Sequence, residues 1–299
     1  MNNRLAALVI CMPFIISACS NDDPATAPPS LAVFARGDAA LIVVVENSDG
    51  ERGSALEAAF ELRREQTLQV LAGILGIDTA AMRGMMLNEI LENYGEPWMI
   101  RELAGVAGGK YVAVRSFSDE SARASVFLDT LRALSRRGFI VDVIFDLHSD
   151  GGTVLFSDGR CSVSSLAQAV RDEGLRMRSL YQTCCYGGAA IATWKNAGVT
   201  AVSGAAGVNS ITLYSPIAFL KNWTGGETFR AAVDHAFQQE LDTLRSYAPV
   251  FPEILWLMTD DNLTASRQIC GGAKPDIFWN ESLFRKSRPL ASAFAAFAP

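Results

Sequence analysis

With 299 residues the chain is long enough for one large domain or two small ones, and with 49% apolar side chains it can bury a sizeable core. Its formal charge of -6 and the lack of any basic cluster argue against nucleic acid as a partner.

At the N-terminus, Arg4 precedes an apolar run, Leu5 to Ile16, that Pro13 interrupts and that is too short to span a bilayer comfortably. The run ends in Ile16-Ser17-Ala18-Cys19, which resembles a bacterial lipobox. That resemblance implies a lipoprotein signal peptide over residues 1–18 and acyl chains on Cys19. It also implies attachment to a membrane that the protein does not cross. Ser20, rather than aspartate, follows Cys19, which by resemblance to enterobacterial sorting implies the outer membrane, facing the periplasm. Residues 19–38 are polar and Pro-rich and read as a flexible tether. No later segment is long and apolar enough for a transmembrane helix. A single α/β domain is expected over 39–290, followed by an Ala-rich tail over 291–299.

In chain order, "ALIVVVE" (40–46) is a continuous apolar run that ends in the turn signal "NSDGERG", as in a buried parallel strand. Apolar residues at helical spacing follow from Ser54 to Leu75, and the Met-rich segment to residue 108 also reads as helical packing. "KYVAVRSF" (110–117) is a second strand. A helix is expected to start at Ser118, with Asp119 and Glu120 in its first turn, and to stop at Arg136-Arg137-Gly138. Phe139 to Leu147 is the third strand, "GGTVLFSDG" a short hairpin and Ser162 to Asp172 a helix. Leu175 to Gln182 is the fourth strand, Ala189 to Asn196 a helix and "VTAVSG" the fifth strand; "SPIAFLKNW" and Thr228 to Tyr247 are helices. Strands alternating with helices imply a mostly parallel sheet covered on both faces, with ligands bound outside the carboxyl ends of the strands.

Two strand ends carry reactive side chains. "VIFDLHSDGG" places His148 at one, and "LYQTCCYGGAA" places Cys184 and Cys185 at the other. A thiolate is a strong nucleophile, and an imidazole beside it serves as acid and base. Gly151-Gly152 and Gly187-Gly188 let backbone N–H groups approach a developing oxyanion. The chain has only two histidines, and His235 falls within the last expected helix, which narrows the choice of base to His148. No P-loop, no G-x-S-x-G elbow, no C-x-x-C and no metal-ligand spacing is present, and no cofactor is expected.

These blocks resemble caspase-like cysteine peptidases, the superfamily of caspases, metacaspases, legumain-type and gingipain-type enzymes. Their signature is one apolar strand ending in His-Gly and, one strand–helix unit later, another ending in Cys with a glycine soon after. The similarity runs over roughly residues 40–247, including "ALIVVVENSDG" and "WKNAGVTAVSGAAG". It implies a three-layer caspase-like α/β fold and a membrane-anchored endopeptidase acting on peptides or proteins through a Cys-His dyad and a thioester. His148 and Cys184 are expected as the dyad, Cys184 because Q-T-C-C-Y-G is similar to the caspase Q-A-C and to the C-x-x-G of metacaspases. Asn47, Ser149 and Cys185 are supporting candidates, with Asn47 matching the asparagine that orients the histidine in legumain-type enzymes.

Several choices stay open at this level. Strand side chains alternate faces, so the two adjacent cysteines cannot both point at His148; with Cys185 as nucleophile the string matches the caspase C-x-G spacing. Ser149 stands where the family carries glycine, so a catalytically inactive binding or scaffold module is the alternative. Asp146 and Asp150 flank the histidine as further candidates to contact it, and Asn209 and Ser210 are candidate walls of the first substrate pocket. With Cys11 in the leader and Cys19 lipidated, Cys161, Cys184, Cys185 and Cys270 allow three disulfide pairings in an oxidising compartment, Cys161–Cys270 among them.

Overall fold

The computed structural model describes residues 39–46, 60–209, 214–247, 249, 268–271 and 276–277. All belong to one unit, Arg36–Pro299. The expected leader, Cys19, the tether, Asn47 and Ser210 lie outside the described residues.

A six-stranded sheet organises the fold, in the order β2 (Ala113–Phe117), β1 (Ala39–Glu46), β3 (Ile140–Leu147), β6 (Met177–Gln182), β7 (Ala201–Ala205), β8 (Gln268–Gly271). β4 (Thr153–Phe156) and β5 (Gly159–Ser162) form a separate antiparallel hairpin. Every pairing in the main sheet is parallel except β7 with β8. β1 is buried along its whole length. Ala40, Ile42 and Val44 enter one apolar layer, while Ala39, Leu41, Val43 and Val45 enter the other. A β-branched run without polar alternation suits this place, because both faces of a central parallel strand are covered.

Helices form the outer layers. α3 (Ala124–Arg136), α4 (Val163–Asp172) and α5 (Ile191–Asn196) pack on one face through Phe127, Leu131, Leu166, Val170 and Trp194. α2 (Glu96–Ala107), α6 (Ser215–Gly225) and α7 (Phe229–Tyr247) cover the other through Leu103, Phe219, Trp223 and Phe229. The fold is therefore a three-layer α/β arrangement with helices on both faces of a mostly parallel sheet, as expected. α1 (Arg64–Leu75) and the short helices after it build a small third core around Phe60, Leu68, Met82 and Ile90, so the Met-rich segment is packing. Among the described residues no helix is long and apolar enough to cross a membrane.

One expected helix start moves, and one strand appears that was not expected. The helix expected from Ser118 starts at Ala124, after a single 3-10 turn, Asp119–Ser121, that opens with Asp119 at a left-handed φ of 48°. The carboxylate that accepts the Ala124 N–H is Asp158 of the β4–β5 hairpin, at 3.1 Å, a cap from a distant segment. β8 was not anticipated; its four residues are recruited by the free edge of β7.

The sheet's register is held from inside. Asp142 on β3 accepts from Arg178 Nε at 2.8 Å, Ser179 Oγ at 2.6 Å, Tyr111 OH at 2.8 Å and Trp223 Nε1 at 3.3 Å. Burial alone would raise its carboxyl, but the Arg178 guanidinium overrides this and holds it below the usual carboxylate range. The cluster lies where the β3–β6 register shifts, between Val141 and Asp142. Removing one member of such a buried pair strands the other charge. Arg178→Met is expected to lower unfolding stability by about 3–5 kcal/mol in urea titrations.

A second buried carboxyl ties α7 to α6. Glu240 Oε2 accepts from the backbone N–H groups of Tyr214, at 3.2 Å, and Ser215, at the start of α6. Burial pushes its carboxyl up to about 8, against the lowering effect of those N–H groups. The folded protein therefore holds a proton that the unfolded chain releases above its ordinary carboxylate range. This contribution is fully present at acid pH and is lost as pH rises through about 8. Glu240→Gln, which keeps an acceptor oxygen, is expected to flatten the fall in melting temperature between about pH 5 and 8.

Candidate active site

Three strand ends meet at one rim of the sheet. The last printed pairs of β3 and β6 are Val143↔Leu180, Ile144↔Tyr181 and Phe145↔Gln182, and Thr183 N–H continues the ladder to Phe145 O at 3.0 Å. The Leu147 N–H reaches the Cys184 sulfur, which places these two residues side by side; His148 and Cys185 each follow directly, beyond the ends of β3 and β6. Parallel neighbours in register present side chains to the same face. Phe145, Leu147, Leu180 and Cys184 all enter the apolar layer of α3, α4 and α5. Asp146 and Thr183, whose hydroxyl donates to the Asp146 carboxylate, therefore belong to the opposite face, and the Asp146 charge acts on Cys185.

The two adjacent cysteines occupy different environments. Cys184 is only 1% exposed, packs within the core and points its sulfur at Phe145 O, 3.8 Å away. Burial drives its thiol far above the ordinary range, so it is inert towards a substrate. Cys185 is half-buried at the rim, with its sulfur against the backbone of Asn209: the Asn209 N–H lies at 3.3 Å and its carbonyl oxygen at 3.8 Å. Burial also raises the Cys185 thiol, the Asn209 N–H opposes the rise, and the nearby Asp146 carboxylate adds to it. The resting group is thus a thiol that needs a base. Alternation of faces past the end of β6 was the signal in the sequence that separates the two cysteines.

The glycine turns touch. A side chain on Gly151, which has φ 86°, would come within 3.0 Å of Tyr186 O and 3.3 Å of the Ala189 Cβ, so the turn after His148 lies against the turn after the cysteines. Gly204 of β7 meets the same turn: a Cβ there would overlap the backbone of Gly187 and Gly188. Tyr186, 41% exposed, holds a left-handed φ of 54° without being glycine and donates its N–H to Gly207 O at 2.8 Å. Strain of this kind persists where neighbours fix the backbone on several sides.

Ser149 suits its place better than the glycine comparison implied. It is not among the described residues with positive φ, so its backbone does not demand glycine. Its hydroxyl turns back to accept the Gly151 N–H at 2.9 Å. The bridge between Ser149 and Val154 is made by Leu155 N–H to His148 O, at 2.8 Å, and Asp150 N–H to Thr153 O, at 3.3 Å, so the Ser149 N–H takes no part in it.

The flanking acids divide. Asp150 is committed to its own turn, accepting from Thr153 N–H at 2.7 Å and Gly152 N–H at 3.0 Å, and these bonds lower its carboxyl. Asp146 is buried and accepts from Thr183 Oγ1. His235, the other histidine, pairs its Nδ1 with Glu227 at 2.9 Å on the surface. Asn209, expected as a pocket wall, instead donates its side-chain amide to Thr183 O at 2.7 Å and so grips the strand end beneath Cys185. Cys161, Cys184, Cys185 and Cys270 are all free thiols, so neither the Cys161–Cys270 bridge nor a vicinal disulfide is formed. Among the described residues no group of three or more His, Cys, Asp or Glu side chains is arranged to hold a metal ion.

No protein-family model matches the chain, and no curated protein matches it significantly.

In the native protein, iodoacetamide is expected to modify Cys185 while Cys184 reacts only as fast as the fold opens. Peptide mapping after timed labelling measures both rates. Equal labelling of the two would remove the distinction.

Proposed function

We propose that this chain is a caspase-like cysteine endopeptidase, held on a bacterial envelope membrane by lipid on Cys19, with Cys185 and His148 as its dyad. The observation that carries this reading is the contact between the two glycine turns, which brings the segment after His148 against the segment after Cys185. The lipobox-like Ile16-Ser17-Ala18-Cys19 supports the anchor, and an outer-membrane position facing the periplasm follows from the same resemblance.

In the proposed cycle a peptide binds in extended form at the rim. His148 takes the Cys185 proton as the sulfur attacks the carbonyl carbon, which suits a thiol whose resting form is neutral. The carbonyl π electrons move to oxygen, and the N–H groups of Ser149 and Cys185 are the donors nearest the site for that charge. When the intermediate collapses, the C–N bond breaks and His148 gives its proton to the leaving amine. A thioester remains. Water then adds to it with His148 as base, and the thiol returns with release of the acid. These steps call for no metal or organic cofactor.

A non-catalytic scaffold, binding a peptide or protein at the same rim, is the second reading. The raised Cys185 thiol is the observation that favours it. A peptide library varied at the residue before the scissile bond separates the two. Cleavage is expected from the full chain and is expected to fall at least 100-fold in Cys185→Ala and in His148→Ala, as general-base and nucleophile losses do. Cys184→Ala should keep cleavage within a few-fold, since it deletes a core sulfur only. Cleavage lost in Cys184→Ala and kept in Cys185→Ala would return the nucleophile to Cys184. Binding without cleavage would support the scaffold.

A further inference from the structure

Asn209 lies four residues beyond the end of β7, on a separate segment from both members of the dyad. It makes two contacts with the strand end of the nucleophile. Its side-chain amide reaches Thr183 O at 2.7 Å, and its own backbone N–H reaches the Cys185 sulfur at 3.3 Å. The same peptide segment is fastened again through Gly207 O, which accepts the Tyr186 N–H at 2.8 Å. Residues 207–209 thus bracket Cys185, with one bond on the residue after it, one on the sulfur itself and one on the carbonyl two residues before it.

We propose that Asn209 is a positioning residue for the nucleophile: its side-chain amide, latched to Thr183 O, holds its backbone N–H against the Cys185 sulfur and so favours the thiolate at the rim. The Asn209 carbonyl lies 3.8 Å from the same sulfur and receives the S–H when the thiol is protonated. One short segment therefore offers an acceptor to the resting thiol and a donor to its ionised form. A hydrogen bond from N–H to an anionic acceptor is stronger than one to a neutral acceptor. The contact consequently gains as the proton leaves. The other ionisable groups near Cys185 are Asp146 of β3, whose charge opposes ionisation, His148 just past the end of β3, and Cys184, its buried neighbour just past the end of β6. Asn209 supplies a donor that reaches the sulfur from the segment beyond β7. The inference rests on Cys185 as the reactive thiol.

The test reads the thiol itself, in the full chain and without a peptide. Iodoacetamide labelling of Cys185 is followed from pH 6 to 10, with Cys161 in the same sample as an internal standard. Asn209→Ala is expected to shift the midpoint of the Cys185 profile upwards and to slow labelling at pH 7 roughly three- to tenfold, with the Cys161 profile unchanged. Asn209→Asp, whose carboxylate cannot donate to Thr183 O and adds negative charge beside the sulfur, should slow it further. Asn209→Ser keeps a short donor and should fall between Asn209→Ala and wild type; it carries the test if Asn209→Ala does not fold. An unchanged Cys185 midpoint in the folded variants overturns the proposal, as does an equal shift in Cys161, which marks a general loosening. Failure of peptide cleavage in the wild-type chain would sink the peptidase reading while leaving this measurement intact.

Discussion

The buried ion pair between Asp142 and Arg178 governs more of this molecule than its place far from the rim suggests. It joins β3 to β6 at the irregularity between Val141 and Asp142, where the pairing of the two strands is set. Both charges are out of water, and Asp142 also accepts from Ser179, Tyr111 and Trp223. A slip by one residue would pull these donors away from the carboxylate and leave two buried charges without partners. It would also turn every side chain of one strand to the other face. The pair thus selects one register, and that register fixes which face each residue of β3 and β6 presents up to Phe145 and Gln182.

From this constraint the rim follows. β3 and β6 end together, and β7 closes on them because Gly204 has no side chain to hold it off the Gly187-Gly188 backbone. The switch in strand order, with β1 lying between β2 and β3, sends the chain away from β1 on one side and back on the other. Crevices beside such a switch are where open parallel sheets bind ligands. Glu240, fastening α6 to α7, supports the layer beneath this region by giving the first N–H groups of α6 a buried acceptor.

The electrostatics of the rim keep the Cys185 thiol protonated. Burial and the Asp146 carboxylate both keep the Cys185 proton in place, while the N–H groups of Asn209 and of Cys185 itself work in the other direction. In the proposed cycle His148 would supply the base, since Glu227 holds the other histidine on the surface. Ser149 in the place of a glycine imposes no backbone penalty here, since its hydroxyl is spent within its own turn.

Read alone, the sequence determined the layered α/β class, because β-branched apolar runs between helical periodicities can be buried only as central parallel strands. It also determined that His148 and a cysteine stand at strand ends followed by glycines. Tertiary structure decided the rest wherever the partner is distant in the chain. The start of α3 depends on Asp158, 34 residues beyond Ala124, so a local reading placed it at Ser118 instead. β8 exists as a strand because the edge of β7 accepts it, which no pattern in four residues announces. The preference for Cys184 followed local spacing, whereas the choice of Cys185 depends on which of the two side chains the core buries. Period and composition are properties of a short stretch of chain and can be read from it; a register and a cap are relations between stretches, and only packing creates them.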